Sequence, residues 1–131
     1  MSTDPTVEWW IKNAKNYLEL AIEALSRNSL CICLHLVQHA AEFCFKAMIR
    51  QCSGDHPYIR NPYTLLHIGA LYIPELRKVF PRQTTEEIRL FSYLNPYRFA
   101  AQKEMDMPAA FELKILAERV QLLLEIAGKL Q

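Results

Sequence analysis

Glycine is scarce, with three in 131 residues, and no stretch alternates apolar and polar residues for long enough to make a useful strand. Both absences turn the reading towards helix. No apolar run reaches the roughly 18–20 uncharged residues that a membrane span requires. Residues 30–49 come closest, and His35, Gln38, His39, Glu42 and Lys46 interrupt them. The opening MSTDPTVEWW lacks the basic start and apolar core of a signal peptide, so a cytoplasmic protein with no membrane partner is expected. A dominant charge is also missing. The formal net charge is +1, which removes any large field towards nucleic acid or membrane and leaves room only for a local basic patch. There is no internal repeat, low-complexity tract or glycine-rich phosphate loop, and no nucleophile–base pair or carboxylate dyad can be placed. No catalytic residue is therefore assigned, no cofactor is implied, and the residues themselves lean away from an enzyme.

What is present is a globular composition, 51% hydrophobic and 22% charged, of a length expected to form one domain over residues 1–131. Its centre is residues 30–52, LCICLHLVQHAAEFCFKAMIRQC. On a helix, Leu36, Val37, Ala40, Ala41, Cys44, Ala47 and Met48 form a wide apolar face, and Leu30, Ile32, Cys33, Phe43, Phe45 and Ile49 cover much of the rest. Such a helix is expected to be packed on most sides. One polar line remains, His35, His39, Glu42, Lys46 and Arg50, spaced three or four apart and so stacked on one side.

Helix signals surround this centre. Asp4-Pro5 supplies an N-cap and a first-turn proline for a helix running to about Arg27, with Trp10, Ala14, Tyr17, Leu18, Ala21 and Leu25 on its apolar face. Asn28-Ser29 is too short a break for anything but an antiparallel hairpin, with Ser29 as the next cap. Gly54 ends the central helix. Residues 55–63 read as a loop, because Pro57 and Pro62 oppose helix, and Thr64 is expected to cap a short helix that Pro74 stops. A further short piece covers residues 74–79 before Pro81. Thr84 and Glu87 offer a capping box for a helix that Asn95-Pro96 closes. Asp106 and Pro108 repeat the cap-plus-proline start for a last helix to about Leu130, with a heptad-like seam through Ala109, Leu113, Leu116, Val120, Leu123, Ala127 and Leu130. Beside it, Ile115, Leu122 and Ile126 form a second apolar line, available to a second copy of the chain. The expected fold is all-α, an antiparallel up-and-down bundle of four to five helices, three of them long.

Several motifs, in order, resemble the HEPN domain family (the higher eukaryote and prokaryote nucleotide-binding domain). They are Trp10-x-x-x-Ala14-x-x-x-Leu18-x-x-Ala21, Gln38-His39-Ala40-Ala41-Glu42 followed by Lys46-Ala47, Thr64-Leu65-Leu66-His67, and Leu94-Asn95-Pro96-Tyr97-Arg98-Phe99. The resemblance implies a commonly dimeric helical bundle that binds nucleotide or RNA. It also implies a nucleotidyltransferase-type partner protein, in some members as a toxin–antitoxin pair. Many members are RNases with an Arg-x(4–6)-His signature at the start of the last helix. Here the chain departs: the positions after Arg98 hold Lys103, Glu104 and Met105, and no histidine follows His67. Arg50-x5-His56 and Arg60-x6-His67 match by number in the wrong part of the chain and read as coincidences.

The candidate ligand-binding residues are Arg98, Tyr97, Lys46, His67 and Glu42. Arg98 has two readings of equal weight. It forks around a phosphate ahead of a helix N-terminus, with Tyr97 stacking on a base, or it pairs with a carboxylate such as Glu104 or Glu42. Glu42 and Lys46 read first as a structural ion pair and second as the wall of a groove. His67 reads as a core histidine unless Arg60, Lys46 and Lys103 join it in one pocket. His35, His39 and Glu42 share a face, but no facing helix carries a matching cluster, so no metal is assigned. The cysteines, Cys31, Cys33, Cys44 and Cys52, are expected to be buried free thiols. Two readings stand beside nucleotide or RNA binding: a structural dimerisation module without ligand, and a divergent metal-independent RNase using His56 or His67.

Overall fold

The computed structural model of the chain describes residues 4–96 and 107–130. Among them are six helices and no strand: α1 (Pro5–Ser26), α2 (Leu30–Ser53), α3 (Pro62–Tyr72), α4 (Leu76–Val79), α5 (Thr85–Ser92) and α6 (Ala110–Lys129). The three long helices are those expected. The short ones number three, because residues 74–79 close a full turn of their own.

The helix ends follow local chemistry. The Asp4 carboxylate accepts from the Thr6 N–H at 2.9 Å, and Pro5, which has no N–H to leave unpaired, opens α1. Asn28 turns the hairpin at φ 59, a conformation that asparagine tolerates better than most residues. Gly54 ends α2 at φ 80, where a side chain would be strained. The start of α3 differs from expectation. Its cap is Asn61, whose side chain accepts from Tyr63 N–H, and Pro62 is the first residue of the helix; Thr64 lies exposed inside it. A proline that breaks a helix interior is well suited to the first position, and Asn61-Pro62 repeats the Asp4-Pro5 device. Glu112, in the first turn of α6, accepts from the Ala109 N–H at 3.0 Å. The expected cap Asp106 lies outside the described residues.

Ser29 and Thr84 separate two kinds of cap. The Thr84 hydroxyl accepts from Glu87 N–H at 3.1 Å, whereas Ser29 makes no side-chain capping bond. Glu87 does not complete a capping box, because its carboxylate is taken by Arg119. Thr84→Ala should therefore cost about 1 kcal/mol, and Ser29→Ala less than about 0.5 kcal/mol. Urea denaturation of both variants checks the contrast.

One core cluster draws from every helix. α2 contributes eleven buried residues, from Cys33 to Ile49. It packs against α1 along the hairpin, and against α6 and α3 elsewhere. The middle of the α6 seam is buried, with Leu113, Leu116, Val120, Leu123 and Ala127 each 0% exposed, whereas its two ends, Ala109 and Leu130, flank the helix and are exposed. Of the second line, Ile115 and Ile126 are half-buried against the core and Leu122 is exposed; Phe111 is exposed as well.

Two cysteines depart from expectation. Cys33 and Cys44 are buried, and burial pushes the Cys44 thiol up to about 12. Cys31 and Cys52 are exposed. Residues two apart on a helix point in different directions, so Cys31 faces out where Cys33 faces in.

Candidate functional site

The first part of the polar line of α2, His35, His39 and Glu42, faces a cleft of about 220 Å³, while Lys46 and Arg50 lie outside its lining. His35, Gln38, His39 and Glu42 line one wall; Arg60, Pro62 and Leu65 come from the end of the 54–61 loop and from α3; Leu94 and Pro96 come from the chain after α5. A helix packed on most sides has its polar residues forced onto whatever side is open, and here that side is the cleft.

Glu42 is the fixed point. One carboxylate oxygen accepts from Lys46 Nζ at 3.1 Å and the other from Arg60 Nε at 3.2 Å. The Lys46 and Glu42 side chains retain only 12% and 14% exposure, while Arg60 is half open to solvent. The i,i+4 pair expected from the spacing is thus formed, and a third residue from a distant loop joins it. Gln38 is buried and donates from Nε2 to the Tyr93 carbonyl at 2.9 Å, tying α2 to the turn after α5. His39 stacks on Tyr17, with ring centroids 5.6 Å apart, and Tyr17 stacks in turn on Phe43. His35 is exposed at the cleft edge.

Of the five candidate residues, Glu42 and Lys46 are together. His67 is exposed on α3 and does not line the cleft, so it is neither a core histidine nor a neighbour of Glu42. Tyr97, Arg98, Lys103 and Glu104 lie outside the described residues. Pro96, which lines the cleft, directly precedes Tyr97 and Arg98 in the sequence. His35 and His39, metal candidates by spacing, line the cleft, as do Leu65, Leu94 and Pro96, whose side chains carry no chemistry that marks them as site residues. The signal for Leu94 and Pro96 was the family-like segment from Leu94 to Phe99, and that for Leu65 was the segment from Thr64 to His67. Among the described residues no three His, Cys, Asp or Glu side chains are grouped to hold a metal ion.

Arg50 and His56, set aside on position alone, do meet. Arg50 Nη1 lies 3.4 Å from His56 Nδ1, and Arg50 Nε donates to Asp4 Oδ2 at 2.5 Å. The His56 ring lies 4.8 Å from that of Trp10 and 4.5 Å from that of Tyr58. The Arg50 hydrogen bond holds the Asp4 carboxyl below its usual range, against the opposing effect of burial. This cluster fastens the start of α1 to the end of α2.

No helix among the described residues is long and apolar enough to cross a membrane. The arrangement is that of an all-helical bundle whose central helix turns one polar edge into a small cleft. A family model for the HEPN domain matches residues 7–130, nearly the whole chain, and the chain belongs to that family. No curated protein and no solved structure matches it.

Proposed function

We propose that this HEPN domain binds a nucleotide or RNA in the cleft over Glu42, as a homodimer acting with a nucleotidyltransferase-type protein. The observation that carries the reading is Glu42 and Arg60 joined on the cleft wall, with Lys46 holding Glu42 from outside the lining, Pro96 also in the wall and Tyr97-Arg98 next in the chain. Glu42 is held by two cations, so its charge does not repel an anion. Arg60 spends its Nε–H on Glu42, which leaves its outer N–H groups for a phosphate. Arg98 supplies the second fork and Tyr97 a stacking face for a base. His39 stands beside Glu42 as a further hydrogen-bonding group. His67 has no part in the cleft.

Isothermal titration of the whole protein with ATP, GTP and a short single-stranded RNA tests this. At least one ligand should bind saturably. Arg98→Ala and Arg60→Ala should each weaken it tenfold or more, about 1.4 kcal/mol. Saturable binding that both variants leave unchanged would remove the assigned site.

A second reading, a dimerisation module without ligand, is favoured by the face shared by α1 and α6. Ile22, at 52% exposure, borders a groove of about 470 Å³ with Leu25 and Ala117. A folded dimer that gives no heat with any of the three ligands would establish this reading in place of the first.

A further inference from the structure

Seven arginines lie among the described residues, and five of them hold a carboxylate in an ion pair. Arg77 and Arg82 hold none among the described residues, and both line one cleft of about 410 Å³. α3, α4 and α5 each contribute to it, and no acidic residue lines it. Pro81 and Ile88 give it aliphatic walls, with Leu66 behind them, and Gln83 adds an amide. Ile88 is 51% exposed, so apolar surface lies open beside two uncompensated positive charges.

Arg82 is held rather than loose. Its φ is 51, in the left-handed region that glycine enters far more easily. Its half-buried guanidinium lies over two rings, 5.6 Å from the centroid of Tyr63 and 5.4 Å from that of Phe91. Stacking occupies the face of a guanidinium and leaves the N–H donors in its plane. Arg82 is thus a preoriented fork, and a side chain already fixed loses little freedom when a partner arrives. The same geometry weighs against a nucleic acid. Arg82 covers Tyr63 and Phe91, and Phe80, the aromatic residue of the lining, is 2% exposed, so no open ring face is offered to a base. Two arginines on a chain of net charge +1 are also too few to track a phosphate backbone. A planar fork beside aliphatic surface instead matches a carboxylate beside an aliphatic side chain, and arginine is enriched at the centres of protein interfaces.

We propose that the Arg77–Arg82 cleft docks an acidic segment of another protein, an extended peptide in which a glutamate or aspartate stands beside an aliphatic residue. The carboxylate accepts from the guanidinium N–H groups of Arg82 and Arg77, and the aliphatic side chain covers Pro81 and Ile88. The site is separate from the Glu42 cleft: α3 gives Pro62 and Leu65 to that one and Leu66 to this one. It stands or falls independently of the function proposed there.

The test selects a displayed library of random linear peptides on the immobilised whole chain and discards those that also bind the Arg77→Ala/Arg82→Gly double variant. Glycine suits the backbone at position 82 and Arg77 is exposed, so the double variant keeps the fold, which its circular dichroism checks. The surviving peptides should carry Asp or Glu next to Leu, Ile or Val. Titrated by methyl-detected NMR, they should shift the Leu66 and Ile88 signals saturably. Arg77→Ala and Arg82→Gly should each weaken them tenfold or more. Lys78→Ala, which removes a neighbouring charge outside the cleft lining, should leave the affinity unchanged. No surviving peptide, survivors without acidic residues, or unmoved Leu66 and Ile88 signals would overturn the proposal. Equal losses in Lys78→Ala and Arg77→Ala would reduce it to unspecific charge and overturn it as well. Inorganic phosphate and a short single-stranded RNA are separate arms. Tighter binding of either at Leu66 and Ile88 than of the best peptide would assign the cleft to that anion instead.

Discussion

Phe91→Ala should destabilise the fold by about 3–5 kcal/mol, a large share of the 5–15 kcal/mol that holds a domain of this kind together. Phe91 is 0% exposed and sits on α5, whose eight residues bury little else besides Leu90. Its ring meets Phe80 edge-on at 5.0 Å and Tyr63 edge-on at 5.2 Å, so one side chain joins α5 to α3 and to the end of α4. Edge-to-face pairs add about 0.5–1.5 kcal/mol each beyond buried area. Truncation removes both pairs and the surface on which Arg82 rests. Phe91→Leu keeps most of the volume and should cost about 1–1.5 kcal/mol. The melting temperature of the alanine variant should fall by roughly 10–20 °C. Urea unfolding of the two variants is the check, with amide exchange in α5 to show whether the loss is local. A cost below about 1 kcal/mol for alanine would mean that α5 is docked by other contacts.

The long helices were legible because periodicity and end signals agree there. Asp4-Pro5, the Asn28-Ser29 break and Gly54 all mark boundaries where the structure has them. The seam from Leu113 to Ala127 was legible for the same reason, since a regular three–four spacing has one helical solution. The start of α3 was misread because the same Asn-Pro pair can end a helix or begin one, and only the packing of Leu65 and Leu66 decides between them. The Glu42–Lys46 pair could be read from spacing, whereas Arg60 was a pocket candidate whose contact with Glu42 could not be. It arrives from eighteen residues away, through a loop whose path no local rule dictates. Gln38 was similarly opaque. A buried glutamine on an apolar helix needs a partner, and its partner is a backbone carbonyl at Tyr93, which no residue type announces. The cleft forms where α2, α3 and the chain after α5 meet, so it belongs to tertiary packing rather than to any one motif.

Arg119→Ala should cost about 2–4 kcal/mol, far more than an exposed pair such as Arg27–Glu23 contributes. The Arg119 guanidinium grips both oxygens of Glu87, at 2.7 and 2.9 Å, and donates to the Val79 carbonyl at 2.6 Å. It also lies 5.9 Å over the Phe80 ring. One side chain of α6 thus satisfies the last turn of α4 and the first turn of α5, and both charged partners keep only 23% exposure. Removing it strands a half-buried carboxylate, whereas Glu87→Gln leaves an amide of the same shape and should cost about 1 kcal/mol. The hydrogen bond from Arg119, opposed by burial, holds the Glu87 carboxyl below its usual value of 4.5. A carboxyl depressed in the folded state contributes its stability above the unfolded value and loses it as pH falls through the folded one. The gap between wild type and Glu87→Gln should therefore be full at neutral pH and close progressively below about pH 4.5. The Asp4–Arg50 pair titrates in the same direction but is present in both proteins, so it cancels in the difference. Urea unfolding of wild type and Glu87→Gln across that window is the measurement. A gap that stays constant as pH falls would show that the pair's geometry, and not its charge, joins α6 to α4 and α5.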